Sequence, residues 1–373
     1  MKILHLLDAT TPDYAIEMLG ALIAFNPTEH VVLSLGHRSI GQAVGAAGVP
    51  AERVRYLRSM GWADPLAIRN FRRLLGQLNP THLHAWGDAG LMAAAACAFS
   101  GPRMATPAGV PSALVRRALR ALGATFTWTA TSLATLEALR QAGLGLPAQP
   151  SIFLLTPGVH APLAASADRA QLRKALGLAA TDSPVILLGG SGPSARHDHA
   201  LWAAGILQQI YPQAKALVRA DPTLTYDHAR AFARVLPADD MVVFAPSETP
   251  WPLLVQAADL FLFTPDASLP TTSLLWAMAG RLPIIASDVP SMREFLTDHQ
   301  TALLAPPAKP RVFAGRLEEL LRTPALQASL AQNAYTLVTE RFTRQAMQQS
   351  FLSLYQSAPT LAIGSSHLSV SSS

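Results

Sequence analysis

Three short groups in the second half of the chain have the residue types and spacing to hold an anion. Thr271, Thr272 and Ser273 follow Pro270 and open a helical pattern, so their hydroxyls lie beside the unpaired amides of a first turn. The turn Gly189–Gly190–Ser191–Gly192 follows an apolar run and lets backbone amides come close to a ligand. Arg196, just beyond it, offers a planar fork of N–H donors that suits a phosphate. Each group also has a plainer reading. Thr271 is an ordinary N-cap residue, and a glycine-rich turn can simply close a loop. The hydroxyl group lies inside DLFLFTPDASLPTTSLLWAMAGRLPIIASD, Asp259–Asp288, which reads as strand, loop, helix, strand. That order places an anion pocket at the carboxyl end of a parallel sheet. In the first half, His84 stands near the end of the strand expected at 82–85, where it can face such a pocket or be a satisfied core histidine.

Other chemistries find no support in the residues. No cysteine pair or histidine-rich spacing suggests a metal, and there is neither a Walker loop nor a nucleophile elbow. GGSG lacks the dinucleotide spacing. Basic residues are not interleaved with aromatics, so no nucleic-acid partner is expected.

The elements that must position these groups alternate along the chain. Strands are expected at 2–7, 31–35, 53–56, 82–85, 104–106, 126–130 and 151–155, with helices near 14–25, 40–47, 65–78, 90–99, 112–122 and 132–142. Proline and glycine interrupt the pattern at Thr156–Ser166. Beyond it, strands are expected at 184–189, 214–218, 241–244, 260–263, 283–287 and 302–304. Helices are expected at 197–211, 226–236, 250–257, 272–279, 291–297, 310–321, 325–342 and 344–355. With 373 residues, half of them apolar, this is an α/β chain of two doubly wound, Rossmann-like domains facing a central cleft. The boundaries expected are 1–160, 161–343, a returning helix at 344–357, and a Ser-rich, disordered tail at 358–373.

Charge is uneven. Residues 1–150 hold 13 Lys and Arg against 8 Asp and Glu, whereas residues 151–373 hold 16 of each. Ser112–Leu122 sets Arg116, Arg117 and Arg120 opposite Leu114, Ala118, Leu119 and Leu122. This is a basic amphipathic pattern that suits either a solvated helix face or peripheral contact with a membrane. No apolar run is long enough to span a bilayer. The single cysteine, Cys97, fits a reducing, cytoplasmic setting, with the inner face of the membrane as a second possible site.

Several segments resemble glycosyltransferase family 4, whose fold is GT-B. SLATLEALRQAGL at Ser132–Leu144 is similar to the family's S-x6-L-x3-G helix, and LLTPGVH at Leu154–His160 to its PGVD turn. AQLRKALGL at Ala170–Leu178 resembles R-x-x-L-G-L, and VILLGGSGPSARHDH at Val185–His199 the phosphate loop. Ala257–Leu296 is similar to the donor-sugar region, and NAYTLVTERFTRQAMQQSFLSLY to the family's closing helices.

The resemblance implies a nucleoside-diphosphate sugar as co-substrate, no cofactor and no metal. It also implies retaining transfer to a glycan or lipid-linked acceptor. Gly190, Ser191, Gly192, Arg196, Thr271, Thr272 and Ser273 would then hold the diphosphate. His84 and Ser268 would line the reacting centre, and Trp276 and Glu294 would meet the nucleoside or sugar. The family's paired carboxylates, E-x7-E, fall on Ser268 and Trp276, so the usual ribose contact is lost. Trp276 is then either packed into the interdomain wall or a stacking platform. Two readings stay open: a divergent sugar transferase, or an inactive GT-B protein that binds or scaffolds.

Overall fold

The structure is a computed structural model of the chain. It describes residues 1–8, 11, 13–25, 30–36, 44–45, 47–58, 65–97, 99–109, 111–143, 151–163, 168–190, 195–220, 224–234, 240–266 and 272–357. In the first unit the order is β1 (Ile3–Leu7), α1 (Asp13–Phe25), β2 (His30–Leu35), β3 (Val54–Leu57), α2 (Pro65–Leu78), β4 (His82–Trp86), α3 (Asp88–Ala96), β5 (Arg103–Thr106), α4 (Ala113–Leu122), β6 (Thr127–Ala130), α5 (Leu133–Gly143) and β7 (Ser151–Leu154). The second unit runs α6 (Arg169–Ala175), β8 (Val185–Leu188), α7 (His197–Gln208), β9 (Lys215–Arg219), α8 (Leu224–Ala233), β10 (Val242–Ala245), α9 (Trp251–Ala257), β11 (Leu260–Phe263), α10 (Thr272–Ala279), β12 (Ile284–Ser287), α11 (Pro290–Arg293), β13 (Leu303–Ala305), α12 (Pro310–Arg322), α13 (Pro324–Arg341) and α14 (Arg344–Ser357).

The first sheet has the order β3-β2-β1-β4-β5-β6-β7 and the second β10-β9-β8-β11-β12-β13. All pairings are parallel. Helices cover both faces, which is why central strands such as Val185–Leu188 and Leu260–Phe263 read as unbroken apolar runs. Strand order reverses between β1 and β4 and again between β8 and β11, and at such reversals an open sheet offers a crevice beyond its strand ends. The two sheets and their helices are the two Rossmann-like units expected from the alternation.

The units are stitched by a crossing of backbones. Val159 N–H donates to Phe342 O at 2.9 Å, and Arg344 N–H donates to Val159 O at 2.8 Å. A side chain on Gly158 would strike the Thr343 carbonyl, so only glycine lets the two segments approach this closely. From there α14 returns to the first unit, where Met347, Phe351, Leu354 and Tyr355 pack with α1, β1 and β4.

Two elements differ from expectation. Of the helix expected at 291–297 only the short α11, Pro290–Arg293, forms; beyond it the Phe295 and Leu296 amides both turn onto Met292 O, and Thr297 N–H bonds to Thr301 Oγ1 at 2.8 Å. Residues 169–175 form a helix absent from the expected set. Asp259 holds it in place, accepting from Arg169 at 2.6 Å, Arg173 at 2.8 Å and the Val185 amide at 2.7 Å. The helix expected at 40–47 falls mostly, and the tail at 358–373 wholly, outside the described residues.

His84 is corrected. It does not open on a crevice; it is fully buried beneath α14. Its Nδ1 meets the Tyr355 hydroxyl at 2.6 Å and its Nε2 the Thr106 hydroxyl at 2.7 Å. His5 joins it, bonded to His30 at 2.9 Å and receiving the Trp86 indole N–H at 3.1 Å. With both ring nitrogens engaged, His84 is a satisfied core histidine that ties β4 to α14. Burial, reinforced by neighbouring imidazoles, pushes His5 and His84 well below the ordinary 6.5.

Two outcomes follow for stability. Tyr355→Phe leaves a buried imidazole nitrogen unpaired and should cost about 1–3 kcal/mol in denaturant titrations. Because the folded state keeps His5 and His84 neutral, the unfolded chain binds more protons once pH falls below 6.5. Their contribution is therefore present above that value and lost as pH drops through the window beneath it. Melting scans should show a midpoint that declines across this window, and a smaller decline in His84→Gln. A midpoint indifferent to mild acid would contradict the account.

Candidate nucleotide-sugar site at the second switch point

The reversal between β8 and β11 gathers the residues expected to hold an anion. β8 runs into Gly189 and Gly190, which lie directly on the rings of β11. A Cβ at Gly189 would strike the Phe261 ring, and one at Gly190 would come within 2.5 Å of the Phe263 ring. Gly190 also has φ +78°, a left-handed conformation that glycine adopts without strain. Its amide donates to Ser273 Oγ at 2.9 Å, joining the loop after β8 to the start of α10. Thr272 and Ser273 are both buried there. The same edge is knitted further by His197 Nε2 against Gly189 O at 3.0 Å, and by the Thr264 hydroxyl donating to Arg196 O at 2.8 Å. Ser191, Gly192, Ser268 and Thr271 lie outside the described residues.

Arg196 caps α7 in a left-handed conformation, φ 50° and ψ 50°, at the same edge. Its guanidinium is already committed. Nε and Nη2 form a fork with Asp198 at 3.0 and 2.9 Å, and Nη1 reaches Asp266 at 2.7 Å. Nη2 also donates to His199 Nε2 at 2.6 Å. Partial burial alone would raise the Asp198 carboxyl, but the bonds and charge of its cationic neighbours outweigh it and hold the group below its ordinary value. Two aspartates thus neutralise the Arg196 guanidinium. An incoming phosphate would have to share or displace them.

Trp276 and Glu294 both reach the other unit. The Trp276 indole N–H donates to Glu17 Oε2 on α1 at 3.2 Å, and only 8% of the residue is exposed. Glu17 Oε1 lies 3.9 Å from Arg219, at the end of β9. Arg219 in turn donates to Ser247 O at 2.9 Å and sits 5.2 Å from the centre of the Trp251 ring. Trp276 is therefore packed into the interdomain wall, the plainer of its two readings. Glu294 crosses in the opposite direction. Its carboxylate accepts from the Leu133 and Ala134 amides at 2.7 and 2.8 Å, filling the orphan donors at the start of α5. Burial pushes this carboxyl up, and the two amides partly offset that. Both Glu294 oxygens serve as a helix cap rather than facing an open crevice.

Sequence reasoning missed Glu17, Asp198, Arg219 and Asp266. Glu17 carried one signal, as the only charged residue past Asp13 in the otherwise apolar α1. Among the described residues, no group of three or more His, Cys, Asp or Glu could hold a metal ion.

Cutting the Glu294 cap orphans two amides at a helix start and should cost about 1–2 kcal/mol. Glu294→Ala should shift urea unfolding by that amount and enlarge the radius of gyration in solution scattering. Unfolding and scattering like those of the unaltered protein would show that the cap joins nothing.

Residues 168–337 match the sequence profile of the family described as "Glycosyl transferases group 1", which covers less than half of the chain. No curated protein matches the chain in sequence. Among solved structures, Anabaena HepE in complex with UDP-glucose is similar with a TM-score of 0.80 and 19% identity, over 96% of this chain and 100% of that one. The pneumococcal O-GlcNAc transferase GtfA, in complex with UDP and GlcNAc, is similar with a TM-score of 0.73 and 9% identity, over 95% of this chain and 98% of that one. Sucrose-phosphate synthase from Thermosynechococcus elongatus reaches a TM-score of 0.71 at 16% identity, again over 95% and 98%. At such identities the likeness is one of fold. The chain has the GT-B architecture, and its second unit is the part that matches glycosyl transferases group 1.

Proposed function

We propose that this protein is a glycosyltransferase that takes a sugar from a nucleoside-diphosphate donor seated at the second switch point. The observation that carries the reading is the bond from Gly190 N–H to Ser273 Oγ. It brings a glycine turn and a helix start together at the carboxyl edge of the unit that matches the group 1 profile. The diphosphate would lie against Gly190, Thr272 and Ser273, with Ser191, Gly192 and Thr271 completing the seat and Arg196 closing it. HepE, of the same fold, was crystallised with UDP-glucose.

The transfer we assign is retaining. The bond from the anomeric carbon to the diphosphate oxygen breaks, and the acceptor hydroxyl oxygen bonds to the same face of that carbon. The acceptor proton passes to the leaving diphosphate, so no side-chain base is needed, in keeping with the burial of His84. Ser268 would stand beside the sugar, and Trp276 and Glu294 behind it. No cofactor or metal enters this scheme. The acceptor class is a glycan or a lipid-linked acceptor, and with the latter Ser112–Leu122 would touch the membrane. The buried, free Cys97 suits a cytoplasmic setting.

A second reading is a GT-B protein that binds without catalysis. It is favoured by the neutralisation of Arg196 by Asp198 and Asp266, and by Trp276 bridging to Glu17.

Calorimetric titration with a panel of nucleoside-diphosphate sugars separates the possibilities. The transferase reading expects saturable binding, slow release of nucleoside diphosphate by hydrolysis, and a roughly tenfold affinity loss in Arg196→Ala, about 1.4 kcal/mol. Binding with no hydrolysis and no transfer to any acceptor tried favours the second reading. No binding of any donor at millimolar concentration removes both.

A further inference from the structure

Helices α2, α3, α4 and α5 all pack on one face of the first sheet, through Phe71, Leu91, Ala94, Val115, Leu119 and Leu139 among others. Their outward sides are cationic. Arg69, Arg72 and Arg73 on α2, Arg116, Arg117 and Arg120 on α4, and Arg140 on α5 are all exposed. The spacings of three and four put each trio on one stripe of its helix. Acidic residues on the same helices are Glu137 and Asp88, and Asp88 already accepts the Ser112 hydroxyl at 2.7 Å. Among the described residues, no ion pair involves any of the seven arginines. Beyond Asp88 the rest of α3 is uncharged, with Met92, Ala93 and Ala95 partly buried against the core and Ala96 exposed. The other face of this sheet is covered by α1 and α14 and is not basic in this way. Leu66, in the first turn of α2, is 68% exposed beside this field.

We infer that this helical face docks on an anionic phospholipid bilayer. A broad field of arginines on parallel helices, with apolar stems and little opposing charge, complements a sheet of phosphate headgroups. A single-stranded nucleic acid would instead call for aromatic platforms, and α2–α5 expose none. The attraction spans several helices and reaches well beyond the α4 segment that the sequence pattern singles out. Because each helix begins at a strand carboxyl end, docking by this face lays the rim of the interdomain crevice along the membrane. The inference stands on charge placement and does not depend on the sugar-transfer reading.

Vesicle co-sedimentation tests it, with phosphatidylcholine vesicles, phosphatidylglycerol-containing vesicles and a single-stranded oligonucleotide as probes. The full chain should sediment with the anionic vesicles, not with phosphatidylcholine alone, and should be released by salt. Each arginine near an anionic surface strengthens binding roughly fivefold, so reversing Arg116, Arg117 and Arg120 to Glu should weaken it by more than about a hundredfold. Reversing Arg69, Arg72 and Arg73 should do the same, whereas Arg322→Glu on the second unit should do nothing. If a reversed variant misfolds by circular dichroism, the Arg→Gln versions of the same trios take its place and should still lose tenfold or more. Equal sedimentation with both vesicle types, unchanged binding in both trios, or binding to the oligonucleotide alone would overturn the inference.

Discussion

Between β8 and β11 the backbone has no room for a side chain. Gly189 and Gly190 rest on the Phe261 and Phe263 rings, and the Gly190 amide is held by Ser273. Close packing makes this a constraint with few exits. Any larger residue must push apart two central strands, and interiors at crystal-like density resist that. The contact sets the distance between the loop after β8 and the start of α10, the two elements that can present amides and hydroxyls to a phosphate. Everything proposed about a donor depends on that spacing.

Acidic side chains organise the rest of the crevice. Glu294 leaves the second unit to cap a helix of the first, and Glu17 leaves the first to meet Trp276 and Arg219 of the second. Asp198 and Asp266 neutralise Arg196. Anion sites that a phosphate would favour are thus partly filled by the chain's own carboxylates. A carboxylate at a helix start or against a guanidinium satisfies donors that would otherwise be orphaned. A phosphate seated against Arg196 would therefore compete with carboxylates tethered in place.

What was legible in the sequence was local. Strands buried on both faces appear as short apolar runs, so Leu260–Phe263 is found where the pattern places it, and the helices Pro65–Leu78 and Thr272–Ala279 likewise lie within their expected bounds. The resemblance assigns Gly190 and Ser273 to one diphosphate seat, and the strand order shows why they meet, since a switch point brings those two ends together. Pairings across long stretches of chain were not legible. His84 at a strand end looks the same whether it meets a ligand or Tyr355, its partner 271 residues away. Glu294 on a short helix gives no hint that its partners are the Leu133 and Ala134 amides. Arg196 looks like a free cation until Asp266, 70 residues on, folds against it. Polar side chains take their roles from whatever lies across the fold, and a local pattern does not specify that.

The central claim is that a diphosphate seats where the loop after β8 meets the start of α10. Amide hydrogen exchange with and without UDP-glucose tests this most directly. The account predicts slower exchange in the peptides covering residues 188–200 and 264–280, with little change across the first sheet. Protection confined to other segments, or none at saturating ligand, would contradict it.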